Sequence, residues 1–227
     1  MSAETASRDP RLTRLEAENA ALRERLAATQ HRVRNTLAVI RSIARRSAET
    51  SETVEDYAMH LDGRIGAFAR VQGALLRDPG EGMALDALVA DTLLGALARE
   101  GERWTLAGPE VTLRAKTAEV LGLALHELAT NAVKFGALSW PRGRITVTWE
   151  IAEGAEPRLA LTWTETGARE AVGATRRGFG TEVLDRTLAY ELGAQTALAF
   201  TDQGLVCRIV LPGAACLPSP GTPLAGD

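Results

Sequence analysis

Glu127, Asn131 and Lys134 follow one another at steps of four and three in the stretch LALHELATNAVKFGALS, residues 123–139. A helix advances by about 100° per residue, so these three side chains form one strip. The strip lies beside the apolar face made by Leu121, Ala124, Leu125, Leu128 and Ala132, neither in the core nor on the far side. A carboxylate, a carboxamide and an ammonium in that arrangement suit a nucleotide. The Asn131 oxygen can bind Mg2+, Lys134 can meet phosphate, and Glu127 can hold a metal-bound water or accept a proton. A plain solvated helix side can carry the same residue types, so the strip gains meaning from its company. GFGT at 178–181 is a glycine-flanked turn entering a helix, with Arg176 and Arg177 before it. N–H groups exposed at such a start, with Gly178 and Gly180 permitting close backbone approach ahead of Thr181, make a phosphate cradle. WTETG at 163–167 ends a strand with Glu165, a spacer and Gly167. An acid there can accept a hydrogen bond from an exocyclic amine such as adenine's.

Such groups need a scaffold, and the chain carries signals for one. Leu12, Leu15, Leu22 and Leu26 alternate steps of three and four with Asn19 in the remaining slot, which is a coiled-coil heptad. The pattern resumes at Val33, Leu37, Ile40 and Ala44, and no proline or glycine interrupts residues 11–47, so one long helix is expected. A buried asparagine commonly fixes register in paired helices, which favours dimerisation. A polar turn with N-cap candidates Ser51 and Thr53 leads to a second helix, about 54–77, with Leu61, Ile65, Phe68, Val71 and Leu75 on one stripe. Two such hairpins make a four-helix bundle. RDPGEG at 77–82 breaks the chain and is the expected domain boundary.

Beyond it the pattern mixes periods. Helices are expected at 84–100, 117–135 and 181–193, and strands at 103–107, 110–114, 144–151, 158–165, 196–200 and 205–211. This is an α+β two-layer sandwich. The expected limits are a disordered start at 1–10, the coiled coil and hairpin at 11–78, the sandwich at 83–213 and a disordered Pro/Gly-rich tail at 214–227.

The totals set outer bounds. The chain has 227 residues and a net charge of −3, which argues against a dedicated nucleic-acid binder. Its two cysteines, Cys207 and Cys216, form no CxxC or Cys/His cluster, against a zinc site or disulfide framework. No signal peptide and no long apolar run is legible, so a soluble cytoplasmic protein without a membrane span is expected.

Four segments in order resemble one family. HELATNAVKFGALS, WTETG and RRGFGTEVLDRTLAYELG look like the N, G1 and G2 boxes of the HWE histidine kinases, and HRVRNTLAVIRSIA at 31–44 looks like their phosphoacceptor box. The family name reflects a His and a Glu in the N box, here His126 and Glu127, and a Trp-x-Glu in the G1 box, here Trp163 and Glu165. The likeness runs from about residue 25 to 212. It implies a dimeric helical hairpin for phosphotransfer, then a Bergerat-type ATP-binding domain.

By the same likeness His31 is the phosphoacceptor and Asn35, one turn on, orients its ring or the phosphoryl oxygens. Arg32 stands where many other histidine kinases carry an acid. Asn131 would serve Mg2+, Glu127 a water or proton, and Lys134 the phosphates of ATP. Glu165 would meet the adenine amine, while Gly167, Arg177, Gly178, Gly180 and Thr181 would belong to the nucleotide site and its lid. His126 is expected to be structural or to contact the lid, and Trp163 to pack in the core. Arg32, Arg34, Arg41, Arg45 and Arg46, with no acid among residues 31–46, suggest a docking face for an acidic response-regulator receiver domain. Input would then come through the first 30 residues or from a separate sensor protein.

One departure stands out. The family's G1 box usually continues Gly-Gly-Pro, whereas here Gly167 is followed by Ala168 and Arg169. That change bears on nucleotide affinity and rate. It keeps open an alternative: a degenerate dimeric scaffold that relays phosphate through His31 without using ATP. A serine kinase of the anti-sigma type would need no histidine hairpin and fits less well.

Overall fold

The computed structural model describes residues 10–77, 80–97, 103–152, 156–167 and 187–217. The chain divides into two compact units, Met1–Leu61 and Asp62–Asp227, and the cut falls inside the second long helix.

The first unit is dominated by α1, Pro10–Glu49, rich in Ala, Leu, Glu and Arg. These residues lose little side-chain freedom in a helix, which suits an uninterrupted run of this length. Leu12, Leu15, Leu22, Leu26, Val33 and Leu37 along it are exposed. α2, Val54–Arg77, begins with a reciprocal cap: Thr53 Oγ1 accepts from the Asp56 amide at 3.1 Å and donates to the Asp56 carboxylate at 2.9 Å. Of the two N-cap candidates, Thr53 is therefore the cap. Ser51 instead donates to Ser47 O at 2.7 Å and lies 3.2 Å from His60 Nδ1.

The second unit holds a five-stranded sheet with helices on one face. Its elements are β1 (Met83–Ala84), α3 (Leu85–Leu97), β2 (Trp104–Ala107), β3 (Thr112–Leu113), α4 (Ala115–Lys134), β4 (Arg144–Ala152), β5 (Arg158–Thr166), β6 (Gln195–Thr201) and β7 (Gly204–Pro212). Residues 187–192 are helical, the described part of the expected helix at 181–193. The sheet order is β2-β4-β5-β7-β6, antiparallel except where β2 runs parallel to β4. A parallel neighbour needs a crossover, and α4 lies on that connection. β1 and β3 form a separate two-stranded pair.

The core is where α3 and α4 meet the sheet. The expected α4 face is buried in full: Leu121, Ala124, Leu125, Leu128 and Ala132. Opposite it stand Leu159, Leu161 and Trp163 of β5, Ile145 and Val147 of β4, and Ile209 and Leu211 of β7. On β4 the outer residues Thr146, Thr148 and Glu150 alternate with these and are exposed, as expected of a sheet covered on one side.

Two expectations change. The start of the tail, residues 214–217, is ordered rather than unstructured. Arg114 Nε donates to Ala214 O at 3.0 Å, Thr117 Oγ1 to Ala215 O at 2.9 Å, and the Leu217 amide to Thr112 O at 2.8 Å. Local Pro/Gly content could not reveal those partners. The last turns of α2, from Asp62 on, belong with the sheet unit and pack on α4. Val71 lies against Gly122, and Gln72 donates to Glu119 at 2.7 Å.

Candidate functional site

Glu165 sits near the C-terminal end of β5 and is only 3% exposed. Alternation along the strand puts Leu159, Leu161, Trp163 and Glu165 on the same buried face, so the carboxylate extends the core row. It is not left unpaired. Oε1 accepts from the Trp163 indole at 3.1 Å, and Oε2 accepts from the Ala137 amide at 2.8 Å. Burial pushes the carboxyl above its ordinary range, and those two donors pull it back in part. Each carboxylate oxygen has a second lone pair. Glycines admit this close packing. A methyl at Gly136 would run into Glu165 and the Ala132 Cα. Gly167, at φ +80°, lies against the Arg142 carbonyl.

The polar strip lies on α4 in the same unit. Asn131 is half-buried and Lys134 exposed. Glu127 is gripped from α2. Arg64 Nε donates to Oε1 at 2.7 Å and Nη2 to Oε2 at 3.0 Å, with both side chains at most 14% exposed. This two-pronged pairing is the geometry a guanidinium favours with a carboxylate. His126 lies beside it. It points away from the apolar face of α4, yet it is half-buried because α2 covers it, and a Cβ on Gly63 would come within 3.1 Å of Nε2. Burial is the main cause that lowers its pKa. Glu127 opposes that shift, and Arg70 and Arg64 add to it.

His31 lies in the first unit, exposed in the middle of α1, with the Asn35 amide 3.4 Å from its Nδ1. Residues 29–110 match the family model of the HWE histidine kinases. The blue-light-activated histidine kinase of Brucella ovis is 32% identical over 183 residues, covering 80% of this chain and 37% of that protein. That of Brucella anthropi is 31% identical over the same shares. The chain belongs to the HWE histidine kinases. It spans little over a third of the length of those relatives. In structure it is similar to the Erythrobacter litoralis EL346 blue-light-activated histidine kinase, with a TM-score of 0.55 at 20% identity over 83% of this chain and 59% of that one. It is also similar to the histidine kinase domain of that protein, with a TM-score of 0.52 at 17% identity over 76% and 96%.

His126 packs on α2, and Glu127 ties α4 to α2 through Arg64. Trp163 packs in the core as expected, and its N–H also holds Glu165. The fold thus brings Glu127, Asn131, Lys134, Glu165 and Gly167 into one unit with His126 and Trp163, while His31 and Asn35 stand in the other. Arg177, Gly178, Gly180 and Thr181, like Ala168 and Arg169, lie outside the described residues. Arg64 was missed in sequence, although a signal existed. It falls at helical spacing between Leu61, Phe68 and Val71, a cation set in an apolar stripe. Among the described residues no group of three His, Cys, Asp or Glu gathers as a metal cage, and no helix is long and apolar enough to cross a membrane.

Proposed function

We propose that this chain is the phosphoacceptor and ATP-binding part of a two-component histidine kinase. His31 takes the γ-phosphoryl group of ATP and passes it to an aspartate of a response-regulator receiver domain. The observation that carries the reading is the Glu165 carboxylate, buried at the end of β5 beside a positive-φ glycine. Its two N–H donors leave a second lone pair on each oxygen, and a carboxylate suits an exocyclic amine better than a phosphate. Glu165 would therefore select adenine, with Gly167 letting the backbone approach the base.

Asn131 and the phosphate oxygens of ATP would hold Mg2+, a cation that rarely needs an all-protein cage. The metal would neutralise charge on the phosphates. Lys134 would meet the same phosphates. In the transfer the N–P bond to the His31 ring forms as the bond to ADP breaks, ADP keeps the electron pair, and the ring proton leaves to a base. Glu127 retains lone pairs beyond those facing Arg64 and can serve that proton or a metal-bound water. The amide of Asn35 can turn its oxygen to the ring. Nδ1–H then donates to it, and Nε2 keeps its lone pair for attack.

Two surfaces support the rest. Exposed Arg32, Arg34, Arg41 and Arg45 suit an acidic receiver domain. The leucine row of α1, with Leu15 at 61% and Leu22 at 63% exposed, suits a second copy in a homodimer. ATP supply places such a kinase in the cytoplasm, with input from a sensor segment or partner.

The test is incubation with γ-labelled ATP and Mg2+. An acid-labile, base-stable label that disappears in His31→Ala is the expected result. A second reading is favoured by the Arg64–Glu127 pair, which occupies the proposed base: a relay that takes phosphate only from a phosphorylated receiver. Label arriving from the receiver and never from ATP would select it.

A further inference from the structure

The stretch after α4 folds back on itself. The Gly136 amide donates to Asn131 O at 3.0 Å, Ala137–Ser139 make one turn of 3-10 helix, and the Gly143 amide donates to Trp140 O at 3.1 Å. Four carbonyls of this loop converge, those of Ala137, Leu138, Trp140 and Gly143. Converging carbonyl dipoles repel, and enclosed ones need donors. Arg103, just before β2, supplies them. Its Nε and Nη2 donate to Gly143 O at 3.2 and 3.1 Å, Nη1 to Leu138 O at 3.2 Å, and Nη2 to Ala137 O at 3.2 Å and to Trp140 O. A planar fork with five N–H groups can serve such a ring, whereas an ammonium with three cannot.

Ala137 is therefore held from both sides. Its carbonyl is bound by Arg103 and packs so closely on Gly143 that a Cβ there would collide with it. Its amide donates to Glu165 Oε2 at 2.8 Å. We propose that Arg103 is a positioning residue for nucleotide choice: it sets the 137–143 loop so that the Ala137 amide aims the Glu165 carboxylate. This rests on the reading of Glu165 above and deepens it. Adenine presents an amine where guanine presents a carbonyl oxygen. A fixed carboxylate accepts from the first and repels the second, and a carboxylate free to swing discriminates less.

The test uses the full chain with Mg2+ and titrates N-methylanthraniloyl derivatives of ADP and GDP by fluorescence, with a urea melt of each variant. In Arg103→Gln, affinity for the ADP derivative should fall about tenfold while that for the GDP derivative barely changes. The preference then shrinks by the same factor. Arg103→Lys keeps the charge and reaches fewer carbonyls, so its loss should be intermediate. It carries the measurement if Arg103→Gln fails to fold. An unchanged preference in a folded variant, or an equal loss for both nucleotides, overturns the proposal. If the unmutated chain takes up neither nucleotide or shows no preference, the reading of Glu165 fails first and Arg103 falls with it.

Discussion

Replacing Arg64 by methionine should destabilise the sheet unit by about 3–5 kcal/mol, because Glu127 would be left as an enclosed charge without its partner. The magnitude follows from burial and geometry. Two short contacts at 2.7 and 3.0 Å join side chains that are 10% and 14% exposed. An exposed pair of the same type would be worth about 0–1 kcal/mol. Removing both charges should undo most of the loss: Arg64→Met with Glu127→Leu should lie within about 1–2 kcal/mol of the unmutated chain, since neither charge is then stranded. Glu127→Leu strands Arg64 in turn at a similar cost, so the coupling energy in that double-mutant cycle should be at least about 4 kcal/mol. Urea unfolding followed by tryptophan fluorescence suits the purpose. All four tryptophans, Trp104, Trp140, Trp149 and Trp163, lie in the sheet unit, so the signal reports that unit alone. A coupling below about 0.5 kcal/mol would mean that solvent screens the pair, and the claim that α2 grips Glu127 would be refuted.

Three further outcomes follow from the same geometry. His126 has its pKa lowered from 6.5, so the unfolded chain binds more protons near and below that value. Stability of the sheet unit should fall as pH drops through 6.5, by at most about 1.4 kcal/mol per unit from this residue, and His126→Gln should remove that part of the pH profile in thermal melts. Gly136→Ala should cost about 1–3 kcal/mol, since the methyl meets the Glu165 carboxylate and Ala132, and should weaken ADP binding measured by calorimetry. Leu22→Asp should weaken self-association by at least about tenfold in sedimentation velocity if the exposed α1 row is the dimer seam; an unchanged mass distribution would remove that role from it.

Much of the fold was legible because it is periodic. The α4 face from Leu121 to Ala132 follows from a period of 3.6, and Trp163 and Glu165 share a side of β5 through a period of 2. The 214–217 segment was not legible, because its partners Thr112, Arg114 and Thr117 lie about a hundred residues earlier. The strip Glu127, Asn131, Lys134 was legible as a set. That Glu127 is already paired was not, since Arg64 comes from 63 positions away.

Residue order alone dictated which stretches coil or extend and which face of each is apolar. Those properties depend on neighbours a few bonds apart, through backbone sterics and side-chain period. Packing settled what each polar group meets: Arg64 on Glu127, α2 over His126, the Trp163 indole and the Ala137 amide on Glu165, Arg103 on four carbonyls. A hydrogen bond between distant segments has no local signature, because nothing near a donor in the chain specifies which acceptor the fold will bring to it.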